Sequence, residues 1–82
     1  PRHIRVRCGR LQYEYLASQP VHSSQELIQI DEDLFELKLH VFLTFELVQF
    51  LMGLGPAVEV IEPAELKGLI TTQLEKTLKQ YQ

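Results

Sequence analysis

Residues 54–66, Leu-Gly-Pro-Ala-Val-Glu-Val-Ile-Glu-Pro-Ala-Glu-Leu, join a helix stop, a short strand and a helix start with no linker between them. Gly55 can take the left-handed backbone that ends a helix, and Pro56 cannot continue one. Val58, Val60 and Ile61 make a β-branched strand, and Pro63 suits the first turn of a helix, where its missing N–H is no loss. Helix, strand and helix joined this tightly leave few architectures open.

The rest of the chain supplies the other layers. His3 to Cys8 alternates, with Ile4, Val6 and Cys8 facing a core and His3, Arg5 and Arg7 facing away. Leu11 to Ala17 predicts a helix of about two turns, with Leu11, Tyr15 and Leu16 on its inner face; Ser18-Gln19-Pro20 ends it. Val21 to Ser24 is an approach loop. Gln25 to Ile30 predicts a strand with Ile28 and Ile30 inward, and Asp31-Glu32-Asp33 a polar turn. From Leu34 to Val41, Phe35, Leu37, Leu39 and Val41 take one face and Glu36, Lys38 and His40 the other, so the pair forms a β-hairpin.

Thr44 is placed to cap a helix over Phe45 to Met52, whose apolar stripe is Phe45, Val48, Leu51 and Met52, widened by Leu47 and Phe50. In the last helix Leu66, Ile70, Leu74 and Leu78 recur every four residues, joined by Leu69 and Tyr81. Gly68 weakens that helix by about 1 kcal/mol against alanine unless a close contact requires it. The order β-α-β-β-α-β plus a terminal helix predicts an α+β fold, the ferredoxin-like sandwich with an antiparallel sheet ordered 4-1-3-2.

At 82 residues the chain makes one small domain, residues 1–82, that buries roughly 60% of its unfolded surface. Its 45% hydrophobic and 23% charged residues argue against disorder, and no apolar run approaches the ~20 residues of a membrane span. The one cysteine, Cys8, forms no internal disulfide, and no Cys/His spacing suggests zinc. Its inward place makes it a small buried hydrophobe, and a reducing, cytoplasmic setting is expected. The chain starts at Pro1 without a Met or a signal pattern, as a fragment of a longer protein would.

Little here suggests catalysis. There is no Ser/His/Asp grouping and no phosphate-binding glycine loop, and the three histidines lie on a strand end (His3), a loop (His22) and a strand (His40). No enzyme activity, cofactor or metal is expected. The net charge of −3 exerts no general pull on nucleic acid, but all four arginines, Arg2, Arg5, Arg7 and Arg10, fall in the first ten residues. His3, Arg5 and Arg7, with Lys38 and His40 on the neighbouring strand, are the candidate surface for an anionic ligand such as a nucleic acid or nucleotide. The alternative is cross-strand pairing of the arginines with Glu36 and Glu59, a charge lattice rather than a site. No aromatic platform of the kind single-strand binders use lies on this face. Tyr13, Tyr15 and Tyr81 are candidates for a partner surface, although the spacing of Tyr15 and Tyr81 follows the apolar stripes and points to capping the core.

Several of these segments coincide with a family pattern. They are Ile4-Arg5-Val6-Arg7-Cys8, His22-Ser23-Ser24-Gln25, Phe45 to Met52, the run Gly55 to Leu66, and Tyr81. Together they resemble the C-terminal extension (WCX) domain of bacterial WYL-domain transcriptional regulators. That family commonly shows a V-R-L-R-F strand, an H-P-S-Q loop, F-G-P, and V-E-V-L-E-P-P-E-L entering the last helix. This chain departs from the pattern with Cys8 for Phe, Ser23 for Pro, Leu54 for an aromatic, and Tyr13-Glu14 for an Ala-Pro step. The resemblance implies a cytoplasmic regulatory module that works beside a WYL domain of the same protein, associates as a homodimer, and shares in effector response. DNA contact would belong to an N-terminal domain outside this chain, and no membrane is involved. A stand-alone small-ligand-binding module and a purely structural dimerisation domain are the alternatives.

Overall fold

The computed structural model describes residues 1–82, in which four strands and three helices follow one another as β1 (Arg2–Cys8), α1 (Arg10–Ser18), β2 (Glu26–Gln29), β3 (Phe35–Val41), α2 (Phe45–Gly53), β4 (Glu59–Glu62) and α3 (Ala64–Lys79). The strands form one antiparallel sheet in the order β2-β3-β1-β4. Read from the β4 edge this is 4-1-3-2, an order compatible with the ferredoxin-like sandwich.

One sheet face carries the core. Ile4, Val6 and Cys8 of β1, Phe35, Leu37 and Leu39 of β3, and Val60 of β4 pack in a single buried cluster. The helices add Leu16 from α1, Leu47, Val48 and Leu51 from α2, and Leu66 from α3. All three helices therefore cover the same side, and the opposite sheet face is left open. Strict alternation in β1 and β3 produces this division: one residue of slip in either strand would turn its aliphatic set to water.

β2 follows a different register from the one expected. Leu27 lies opposite Leu37, and Ile28 lies opposite Glu36. Ile28 and Ile30 thus face outward, 39% and 45% exposed, and Leu27 is the inward residue. The hairpin turn fixes this register. The Asp31 carboxylate accepts from the N–H groups of Asp33 and Leu34, both at 2.9 Å, and the Leu34 carbonyl accepts from Ile30 at 2.8 Å. An Asx turn of this kind fixes where the hairpin closes, and with it the pairing of β2 with β3.

The α2 boundaries match their signals. The Leu47 N–H donates to the Thr44 hydroxyl at 3.1 Å, and Gly55 has a φ of +89° just past the helix end. Thr44→Ala removes the cap and is expected to cost about 1 kcal/mol, a fall of about 4–8 °C in Tm readable by thermal denaturation. At α3 the helix begins one residue later than expected. Pro63 stands before it, and its carbonyl accepts the first helical bond, from Lys67 at 3.2 Å.

Three helical stripes are rotated or bared relative to expectation. In α1, Leu16 is fully buried but Leu11 is exposed and Tyr15 half-exposed; the second inward side chain is Tyr13, stacked on Phe35 with centroids 4.2 Å apart. In α2, Phe45 is exposed and Leu47 takes its place in the core. In α3 only Leu66 is buried and Ile70 partly so, while Leu69, Leu74 and Leu78 are exposed, as is Tyr81 past the helix end. Neither Tyr15 nor Tyr81 caps the core. The cause in α3 is length: 16 residues span about 24 Å, whereas the adjoining four-residue β4 covers only about 13 Å.

Candidate functional site

The open face of the sheet gathers all five of the predicted residues. Pairing of β1 with β3 sets His3 opposite His40, Arg5 opposite Lys38 and Arg7 opposite Glu36. On the far side of β3, Glu26 of β2 lies opposite Lys38. On the other flank β4 sets Glu62 opposite Arg5 and Glu59 opposite Arg7, with a register irregularity between Arg5 and Val6. That irregularity matters for the charge pattern. In a regular strand residues 59 and 62 would point to opposite faces, but one extra residue in β4 returns both carboxylates to the open face.

The centre of the face is Glu36, a carboxylate only 6% exposed. Arg5 grips it in a fork, Nε to Oε2 and Nη2 to Oε1, both at 3.2 Å. The third arm of Arg5, Nη1, donates to Glu62 at 3.3 Å. Arg7 approaches Glu36 less closely, with Nε 3.6 Å from Oε1, and this buried Nε has no hydrogen-bond partner. The fork holds the Glu36 carboxyl below its ordinary range, the Arg5 hydrogen bond being the main cause, and the same bond raises the Arg5 guanidinium. Bidentate charge-assisted pairing explains why a glutamate is tolerated at this depth.

Of the two carboxylates expected to pair with the arginines, Glu36 does so and Glu59 makes no ion pair; Glu62 joins Glu36 on Arg5. Glu62 was not singled out from sequence, because its side depends on the β4 irregularity. Rows across the face thus set cations between carboxylates, Glu26–Lys38–Arg5–Glu62 and Glu36–Arg7–Glu59. At the end of the sheet His3 and His40 stack, with centroids 4.2 Å apart and planes 6° from parallel. His22 is elsewhere in role: its Nδ1 accepts from the Ser24 N–H at 3.0 Å and lies 2.8 Å from the Ser24 hydroxyl.

The loop before β2 is a structural clasp. The Ser24 hydroxyl accepts from the His40 N–H at 2.9 Å and donates to the His40 carbonyl at 3.3 Å, extending the β2–β3 pairing by a side chain. Gln25 donates to the Leu16 carbonyl at 3.0 Å and accepts from the Val21 N–H at 2.9 Å, tying the end of α1 to the loop. Across the core, Arg10 lies over the Phe35 ring, 5.2 Å from its centroid, and donates to the Glu32 carbonyl. Cys8 is buried and its thiol is pushed up by desolvation, so it presents no thiolate at neutral pH.

No group of three or more His, Cys, Asp or Glu side chains is placed to hold a metal ion, and no helix is long and apolar enough to cross a membrane. Between α1 and α2 lies an open groove of about 500 Å³, lined by Leu11, Tyr15, Phe50 and Leu54 with Gln12 and Gln49. It carries no ionisable side chain apart from the Tyr15 phenol, so it offers shape and apolar contact rather than chemistry.

The family described as the WCX domain matches residues 1–78. No curated protein matches the chain.

Proposed function

The chain belongs to the WCX domain family, and from that premise we propose that it is the C-terminal effector-response and dimerisation module of a bacterial DNA-binding transcriptional regulator. The observation that carries this reading is the family match over residues 1–78. In this reading a WYL domain and a DNA-binding domain belong to the same polypeptide, the protein works in the cytoplasm as a homodimer, and this module catalyses nothing. The open sheet face supports a share in effector response, since Arg7, Lys38, His3 and His40 reach solvent from one rigid surface. The effector in this reading is an anion, a nucleotide or single-stranded nucleic acid, met by Arg7 and Lys38, because Arg5 is already engaged by Glu36 and Glu62.

Arg5 is not the residue on which to test this, because its removal strands the buried Glu36. The double substitution Arg7→Ala plus Lys38→Ala leaves the Arg5–Glu36 fork in place. Titrating the intact regulator with fluorescein-labelled oligonucleotides and nucleoside phosphates is expected to show anisotropy changes that this variant weakens several-fold. Unchanged binding in the variant removes the sheet face from the effector role.

A purely structural role in dimerisation is the second reading. The exposed Leu69, Leu74 and Leu78 on α3, with Tyr81 just past its end, favour it. It is distinguished by the same titration, because a structural element would leave effector binding untouched.

A further inference from the structure

The distal half of α3 runs past the sheet with Leu74 and Leu78 half-exposed, 50% and 57%. These two leucines belong to a larger exposed face centred on Thr71. At about 100° per residue, Ala64, Lys67, Gly68, Leu74, Glu75 and Leu78 all fall within about 60° of Thr71, and every one of them is exposed. The face reads as its own complement when reversed. Two such helices laid antiparallel about a twofold axis at Thr71 put Leu74 over the partner's Gly68 and Leu78 over the partner's Ala64. Lys67 then lies beside the partner's Glu75, and each of these contacts occurs twice.

Three observations within the protomer are otherwise without a cause. Gly68 interrupts α3, yet nothing lies within 4 Å of where its Cβ would stand. The glycine therefore relieves no contact inside the protomer, while weakening the helix relative to alanine. Lys67 and Glu75 make no ion pair in the protomer. A groove of about 230 Å³ runs beside this face, bordered by Lys67, Thr71 and Leu74 on one side and Met52 and Val58 on the other. A partner helix crossing at Thr71 would fill it.

We propose that this face of α3 is the surface through which two copies of the chain pair, antiparallel about a twofold axis at Thr71. The inference rests on the self-association half of the function proposed above and names the surface that performs it. The fit is isologous: small residues at the start of the helix receive the leucines near its end, and opposite charges flank the centre.

Sedimentation velocity of the chain, from micromolar to near-millimolar concentration, tests the surface. The wild type is expected to show a monomer–dimer equilibrium. Glu75→Lys sets like charges together at both symmetric positions and is expected to weaken the dimer about ten-fold. Adding Lys67→Glu to it reverses both charges and restores the affinity, which a general loss of folding would not do. Gly68→Leu is the second arm. It fills empty space in the protomer, so Tm is unchanged or raised, but it obstructs the partner's Leu74 and weakens association. A wild type that stays monomeric, a charge reversal that is not rescued, or a Gly68→Leu dimer of undiminished affinity each overturns the proposal. The effector titration of the intact regulator is independent of all three outcomes.

Discussion

Phe35→Ala is expected to remove about 3–5 kcal/mol of stability and to leave the chain partly unfolded at ordinary temperatures. Phe35 is 1% exposed at the centre of the buried cluster. Tyr13 stacks on its ring and Arg10 lies over it, so truncation opens a cavity and frees two of the side chains that attach α1 to the sheet. A domain of this length holds only about 4–12 kcal/mol in total, and at about 4–8 °C per kcal/mol the loss corresponds to a fall of tens of degrees in Tm. Phe35→Leu keeps most of the volume and should cost markedly less. Thermal denaturation followed by circular dichroism reads both; near-identical Tm values for wild type and Phe35→Ala would show that the core is not built around this ring.

The second large effect belongs to Glu36. Glu36→Ala deletes the acceptor of both arms of the Arg5 fork and leaves Arg5 with Glu62 alone. Arg5 remains about one-third exposed, 34%, so water takes over part of the lost solvation. The expected cost is therefore about 1–3 kcal/mol, below that of stranding a fully buried charge.

The pH dependence gives a sharper signature. The folded-state carboxyl titrates below its ordinary value of 4.5, so folding favours the ionised form. Its stabilisation is complete above that ordinary value and is lost as pH falls through it toward the lower folded-state value. Wild-type Tm should therefore fall more steeply than that of Glu36→Gln between about pH 5 and pH 3. Parallel curves would mean that the fork does not hold the carboxylate in its charged form.

How far these features can be read from residues alone depends on what fixes them. β1 and β3 were legible because each alternates over a full strand with one face buried. The hairpin partner β2 was not. Leu27, Ile28 and Ile30 supply apolar residues of both parities, and the register is decided by the Asp31 turn and the pairing of Leu27 with Leu37. The five residues of the candidate site were legible as one face for the same reason that β1 and β3 were. Their neutralisation was only half legible: Glu36 follows from alternation, but Glu62 reaches Arg5 only because β4 carries an extra residue.

The helices mark a different limit. The four-residue recurrence of Leu66, Ile70, Leu74 and Leu78 reports that α3 is amphipathic, and this is true of the fold. Periodicity does not report what covers the apolar side, and past Ile70 the protomer leaves Leu74 and Leu78 half bare. Phe45 and Leu11 are bared in the same way, each at the first residues of a helix whose inward direction is set by a neighbour: Leu47 and Val48 in α2, Leu16 and Tyr13 in α1. The run from Gly55 to Leu66 was the most legible of all. Gly55 turns, β4 pairs at the sheet edge, and α3 starts after Pro63, because backbone chemistry rather than packing sets each boundary.

The most direct test of the regulatory assignment removes this domain from the intact protein. Fluorescence anisotropy would follow binding to a labelled duplex, chosen from a random pool by the intact protein, with and without the anionic effector. The truncated protein is expected to contact DNA still but to bind the duplex more weakly, as a monomer, and no longer to respond to the effector. A truncated protein with the same affinity, the same dimeric mass and the same effector response would contradict the regulatory assignment.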